Sequence, residues 1–300
     1  MATRVNLEIF VNTTLANIQQ NMSNMNKLQE QISTGKKINR PSDGPADTRN
    51  ILRLQTEYLR LNQYSSNIQT AKQSLDFNAS VLQNTSDILQ RIRELTMQGV
   101  SSSVDQDGRN KIATEINQLL ESVLQEANSS LVGRYIFAGT KTTTLPFEAM
   151  RNSNGQISEV NYNGNREKIA LRIGPNTNVT VNQPGSEVFT DNELLSSIIQ
   201  IRDALSGGTV SLAREQLNNL DNASKGILDA IAKAGSISNT LELVDNKVAD
   251  TKLSLQNILS STESADLAEL VLRLREQENI FQASLAFSAL IFKTSILDYL

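Results

Sequence analysis

Apolar positions recur at helical spacing toward both ends of the chain and alternate only in its middle. Val11, Leu15, Ile18, Met22, Met25 and Ile32 follow at steps of four and three, with one heptad before the last. That period puts them on one face of an N-terminal helix. Gly35 ends it. Asn39 to Pro45 is turn chemistry, in which Pro41 and Pro45 stop helix and Ser42 or Asp43 can cap the next one. Ala46 to Gln98 then contains neither glycine nor proline. Ile51, Leu54, Tyr58, Leu61, Ile68, Leu75, Ala79, Leu82 and Leu89 keep a 3.5-residue period there, while Ser65, Lys72 and Ser86 interrupt the seam. At helical rise this run spans roughly 80 Å, a rod. After a turn at Asp105–Gly108, a further helix carries Ile112, Ile116, Leu119, Leu120, Val123, Leu124 and Leu131, and ends at Gly133.

From Gly133 to Thr190 the period changes to two, and six of the 14 glycines and three of the five prolines gather there. Tyr135–Phe137 reads as a short strand. Asn154-Gly155 and Asn163-Gly164 are hairpin dipeptides. Ile169, Leu171 and Ile173 alternate with Lys168, Ala170 and Arg172, and Val179 and Val181 repeat the pattern. Helix returns at Leu194–Leu205, breaks at Gly207-Gly208, and resumes from Val210 to Ala234. Beyond Gly235, Ile237, Leu241, Val244, Val248, Leu255 and Ile258 form a second heptad run. The register slips near Ser260–Ser264, and a new apolar face begins with Leu267, Leu270, Leu274, Phe281 and Leu285, followed by Phe292, Ile296 and Leu300. The fold class is therefore mainly α, with long helical rods or a coiled-coil bundle from both termini and a small central β domain. The expected division is residues 1–45 with 265–300 as terminal helices, 46–132 with 191–264 as a helical rod domain, and 133–190 as the β domain.

Composition narrows the chemistry. The 300 residues include no His, Cys or Trp. The common zinc ligand sets, thiol nucleophiles and Ser-His-Asp triads are thereby excluded. The formal net charge of −4 argues against a nucleic-acid partner. No 18-residue stretch is free of charged or strongly polar residues, so no membrane insertion is expected. Ile9-Phe10-Val11 is too short for the core of a cleaved secretory signal. Asp105, Asp107 and Gly108 match part of a calcium loop but lack its closing glutamate. Gly139-Thr-Lys141 lacks the order of a phosphate loop. Glu276/Glu278 and Glu242/Asp245 read as solvated helix faces. No catalytic, cofactor or metal site emerges. The C-terminal helix is apolar on more than one side near Phe281–Phe292. An extra apolar stripe calls for another chain, through self-assembly or a long-lived partner. A single-chain bundle that buries everything is the alternative.

Four segments carry a resemblance. Gln29–Ala46, with its Ser-Thr-Gly-Lys-Lys, resembles the N-terminal signature of bacterial flagellins and their hook-associated relatives. Leu89–Gln98 is similar to the arginine-bearing helix of the same superfamily. Gly133–Phe147 and Lys293–Leu300 resemble the hook–filament junction members rather than flagellin itself. The resemblance implies an extracellular structural component of the flagellum, not an enzyme. It implies export through the flagellar type III apparatus without a cleaved signal peptide. Implied partners are further copies of the chain in a ring, the first hook-associated protein, flagellin and an export chaperone. On this reading Val11, Leu15, Ile18, Met22, Met25 and Ile32 form one assembly face. Leu267, Leu274, Phe281, Leu285, Phe292, Ile296 and Leu300 form the other, which also meets the chaperone. Arg91, Arg93 and Glu94 match a rod-domain subunit contact that in flagellins is also read by an innate-immune receptor. Plain charge pairing on an exposed helix is the simpler account of those three. Gly44 and the apolar Ile291-Phe292 depart from the family pattern. The rival readings are a minor flagellin, a secretion needle-tip or translocon protein, and, from another class, a carboxylate-dependent hydrolase.

Overall fold

The structure is a computed structural model that describes residues 2–297, with side chains at residue 9 and over 11–290. Six helices and six short strands follow in the order α1 (Ala2–Thr34), α2 (Pro45–Gly99), α3 (Gln106–Ala127), β1 (Ser130–Leu131), β2 (Arg134–Tyr135), β3 (Phe147–Arg151), β4 (Ile157–Tyr162), β5 (Ala170–Arg172), β6 (Asn178–Thr180), α4 (Leu194–Ser206), α5 (Val210–Glu263) and α6 (Leu267–Leu297). The chain is mainly α, with long helices from both ends around a small β region. It divides into two compact units, Leu61–Asp250 and Met1–Arg60 with Thr251–Leu300.

Several boundaries differ from the sequence expectation. Gly235 does not break α5, which runs unbroken from Val210 to Glu263. A helical glycine costs about 1 kcal/mol against alanine but removes no hydrogen bond, so flanking helix formers carry the turn through. Asp43 does not cap α2. It lies in a 3-10 turn, Pro41–Asp43, and its carboxylate accepts from the amides of Asn39 and Arg40 behind it. Asp105 caps α3 by accepting from the Gly108 amide at 2.9 Å, so this turn is a helix start. Leu131 leaves the helix and pairs in β1, and Phe137 is a buried core residue beyond β2.

In the Leu61–Asp250 unit, α2 buries two interleaved heptad series. Leu61, Ile68, Leu75, Leu82 and Leu89 form one, and Tyr64, Ala71, Asn78, Thr85 and Ile92 form the other. Thr85 satisfies its hydroxyl on the carbonyl of Val81. Thr85 thus enters the seam with its own hydrogen bond closed. Ile116, Leu120 and Val123 of α3, Ile198, Ile201 and Leu205 of α4, and Leu220 and Ile227 of α5 complete the helical core. At Gly99 an added Cβ would sit 2.8 Å from a Leu205 methyl, so a larger residue there would require Leu205 to shift.

The β region forms three separate two-stranded antiparallel sheets. β3 and β4 pair Phe147 with Tyr162 and turn at Asn154-Gly155, where Gly155 has φ +75°. Asn163-Gly164 turns no hairpin, because β4 has already ended and Gly164 packs on the ring of Tyr162. Phe137, Phe147 and Phe189 stack edge to face at 5.1–5.4 Å, with Tyr162 5.1 Å from Phe147. Arg202 is buried and fully engaged. It donates to Asp203 at 2.7 Å, to Asn117 on α3 at 2.8 Å and to the Ile157 carbonyl on β4 at 2.6 Å.

In the other unit α1 and α6 pair antiparallel. Asn21 of α1 accepts from Gln277 at 3.0 Å and donates to Ser284 at 3.4 Å. Where the two helices meet their connectors, Lys36 bridges to Ser264 as in a minimal antiparallel ladder. The Lys37 amide donates to the Glu263 carbonyl and the Ala265 amide to the Gly35 carbonyl. Gly35 accommodates this bend with φ +66°. The Glu263 carboxylate takes Lys36 and Gln55 at 2.9 Å each.

Candidate assembly interface

The α1–α6 pair meets along a seam that mixes apolar and polar side chains. On α1 the half-buried positions include Val11, Thr14, Ile18, Asn21, Met25, Leu28 and Ile32. On α6 they include Leu270, Leu274, Gln277, Phe281 and Ser284, with Ser288 buried. Asn21, Gln277, Ser284 and Ser288 thus occupy core-facing places. Large apolar side chains face outward instead: Leu272 is 70% exposed, Phe287 60% and Leu290 64%. Ile9, Leu15 and Met22 of α1, with Leu267, Val271, Ile280 and Leu285 of α6, are exposed as well. An outward apolar surface of this extent marks an interaction site.

The residues singled out by spacing therefore fall into two groups. Val11, Ile18, Met25, Ile32, Leu274 and Phe281 line the seam between α1 and α6. Leu15, Met22, Leu267 and Leu285 project outward. The side chains of Phe292 and Ile296, and Leu300 as a whole, lie outside the described residues. Spacing misses Leu272, Phe287 and Leu290, although the density of apolar residues from Leu285 onward, too high for one face, is the signal that points to them.

Charge anchors the turn beside this pair. Lys27 reaches Asp43 at 2.9 Å. That hydrogen bond, with the Arg40 amide, holds the Asp43 carboxyl below its ordinary value of 3.8.

Arg91, Arg93 and Glu94 sit on an exposed face of α2 and are engaged within the chain. Arg91 donates to Glu115 of α3 at 2.8 Å and lies 3.5 Å from Glu94. Arg93 donates to Asp221 of α5 at 2.7 Å. The hydrogen bonds to Glu115 and Asp221 raise the two guanidinium pKa values, so both arginines stay cationic. Among the described residues no group of three or more acidic side chains is placed to hold a metal ion, and no helix is long and apolar enough to cross a membrane.

Comparison with known proteins places this geometry. Residues 5–142 match the bacterial flagellin N-terminal helical region. Flagellar hook-associated protein 3 of Escherichia coli (strain K12) is 25% identical over 299 residues, 89% of this chain and 92% of the relative. The flagellar filament 30.7 kDa core protein of Treponema maltophilum is 25% identical over 87% of this chain and 86% of its own. The solved flagellar junction protein FlgL from Legionella pneumophila shares the fold, with a TM-score of 0.58 at 16% identity over 73% of this chain and 99% of that one. The chain is thus similar to flagellar hook-associated protein 3 over most of its length and to the bacterial flagellin N-terminal helical region over residues 5–142.

Proposed function

We propose that this protein is a structural, non-enzymatic adaptor at the distal end of the bacterial flagellar hook. It joins the first hook-associated protein to the flagellin filament by self-assembly through α1 and α6. The observation that carries this reading is the apolar surface that the terminal pair leaves exposed while polar groups share its seam. Polar Asn21, Gln277, Ser284 and Ser288 face the seam while Leu272, Phe287 and Leu290 face outward. Burying three such side chains against neighbouring copies contributes about 1.5–3 kcal/mol each. A ring of copies supplies that cover. Before assembly an export chaperone covers the same surface of α6, and export runs through the flagellar type III apparatus without a cleaved signal. In the assembled ring, residues 1–45 and 265–300 line the inner tube, 46–132 and 191–264 form the layer outside them, and 133–190 lie outermost. Arg91, Arg93 and Glu94 contribute to a rod-domain subunit contact.

Deleting the gene tests this directly, with electron microscopy of the cells and analysis of the spent medium. The expected result is bare hooks with flagellin lost to the medium. Filaments of normal length would instead support a filament-subunit role, the reading favoured by the 25% likeness to the Treponema core protein.

A further inference from the structure

The two Asn-Gly dipeptides of the chain, Asn154-Gly155 and Asn163-Gly164, sit in opposite surroundings. Asn154 lies at the exposed tip of the β3–β4 hairpin. Asn152 organises that tip. Its side-chain oxygen accepts from the amides of Asn154 and Gln156 at 3.0 Å each. Among the described residues none hydrogen-bonds the Asn154 carboxamide. Gly155 has φ +75°, and the space where a side chain would stand is open. The Gly155 amide donates to the Asn152 carbonyl at 2.9 Å, a bond that opens whenever the hairpin end frays. Asn163 is held instead. Its Nδ2 donates to the Glu148 carboxylate at 3.1 Å, and its backbone amide donates to the Pro146 carbonyl at 2.8 Å. The space beside Gly164 is filled by the Tyr162 ring, whose hydroxyl is fixed on the carbonyls of Phe137 and Asn165 at 2.9 and 2.8 Å. The Gly164 amide has no acceptor among the described residues, so this pair is restrained by the grip on its carboxamide and by the ring.

An asparagine followed by glycine can close on itself. The glycine nitrogen, once water or hydroxide has drawn off its proton, attacks the asparagine Cγ. A C–N bond forms, the Cγ–Nδ2 bond breaks, and Nδ2 leaves as ammonia with a proton from solvent. Water then opens the succinimide at either carbonyl, giving aspartate or isoaspartate. Glycine favours the closure because no side chain crowds its nitrogen and its backbone reaches conformations that other residues avoid. We propose that Asn154 is a site of spontaneous deamidation in the folded protein, and that the fold protects Asn163. To react, Asn163 must give up a charge-assisted hydrogen bond and move against a fixed ring. The product at residue 154 adds a negative charge to the hairpin tip. Its isoaspartyl form also lengthens the backbone inside the loop that Asn152 and Gln156 close. Arg151 ties that tip to α3, donating to the Gly155 carbonyl at 3.0 Å and to Glu121 at 2.8 Å. The modification therefore loosens the hairpin end from α3, irreversibly and without a partner protein.

The test incubates full-length folded protein in warm, mildly alkaline buffer. Mass spectrometry then follows the two sites, separated by proteolytic cleavage after Glu159, with isoaspartate scored by enzymatic methylation. Asn154 is expected to convert at least about tenfold faster than Asn163. In denaturant the two rates should converge, because both carboxamides and both glycines are then free. Glu148→Gln replaces the charged acceptor by a neutral one, and should speed conversion at Asn163 while leaving Asn154 unchanged. Asn154→Gln should abolish conversion at its own position, because the longer side chain closes a less favoured ring. In the converted fraction, amide exchange should quicken over residues 151–157 and stay unchanged in β5 and β6. Equal rates in the folded chain, faster conversion at Asn163, an Asn154 that stays intact while the denatured chain converts, or a difference that persists in denaturant each overturns the assignment. Converted protein with unchanged exchange over residues 151–157 overturns the loosening.

Discussion

The two units of this chain are stabilised in opposite ways. Leu61–Asp250 has a dense core in which phenylalanine rings, leucine seams and a buried arginine are all covered by the chain itself. In the unit formed by the two chain ends, only Ile51 and Ser288 are buried among the described residues. Its helices pair through a half-buried seam of mixed apolar and polar side chains and leave Leu272, Phe287 and Leu290 exposed. One unit carries its own hydrophobic driving force, whereas the other leaves much of its apolar surface for a neighbour. Folding and assembly can then be separated by mutation, and graded substitutions test how far.

The largest effect is expected at the ring cluster. Phe189→Ala should destabilise the Leu61–Asp250 unit by about 3–5 kcal/mol in chemical denaturation, because the cavity cannot collapse between Phe137 and Phe147. Arg202→Ala comes next at about 2–3 kcal/mol, since it leaves Asn117 and the Ile157 carbonyl without their donor. Either change that instead loosened α1 and α6 while sparing the core transition would break the contrast. Glu263→Ala probes the other side. Losing Lys36 and Gln55 together should cost about 1 kcal/mol, read as faster amide exchange at residues 35–37 and 263–265 with the core transition unmoved. Arg91→Ala should leave the chemical-denaturation midpoint of the monomer essentially unmoved, since its pairs to Glu115 and Glu94 are exposed. A clear loss of self-association in that variant, with stability unchanged, would sharpen the case for a subunit contact there.

The pH dependence separates the units as well. Burial raises the Tyr162 pKa above its ordinary value of 10, so the folded state holds the proton where the unfolded chain releases it. Its contribution is intact below pH 10 and is lost as pH climbs toward the raised value. Asp43 runs the other way. Its lowered pKa contributes above 3.8 and is lost as pH falls below that value through the folded one. Alkaline titration should therefore loosen the β region first, and acid should loosen the Pro41–Asp43 turn first. Site-resolved chemical shifts across both ranges check the order.

Much of this contrast can be read from spacing, though not the choice of face. The heptad step on α2 is visible in Leu61, Ile68, Leu75, Leu82 and Leu89, and all five are buried. The companion series lies one residue away from where apolar spacing puts it. Ala79 is the natural apolar choice, yet Asn78 takes the inner place, as Thr85 does rather than Ser86. A heptad of small polar and apolar residues does not say which of two adjacent positions points inward. Gly235 shows the converse error, since a lone glycine inside strong helix formers is a weak stop.

Local order follows from short-range chemistry, and here the residues specify it. The 3.5-residue period, the Asn154-Gly155 turn, the shift to alternation after Gly133 and the absence of His and Cys set the element types and the excluded chemistries. Burial is a long-range property. Arg202 becomes a buried tie only because Asn117 and Ile157, 85 and 45 residues away, converge on it. The α1–α6 seam can hold polar groups because Asn21 meets Gln277 and Ser284 across 256 and 263 residues. Which face of each helix is covered by its own chain, and which is left for another, was decided by those distant partners.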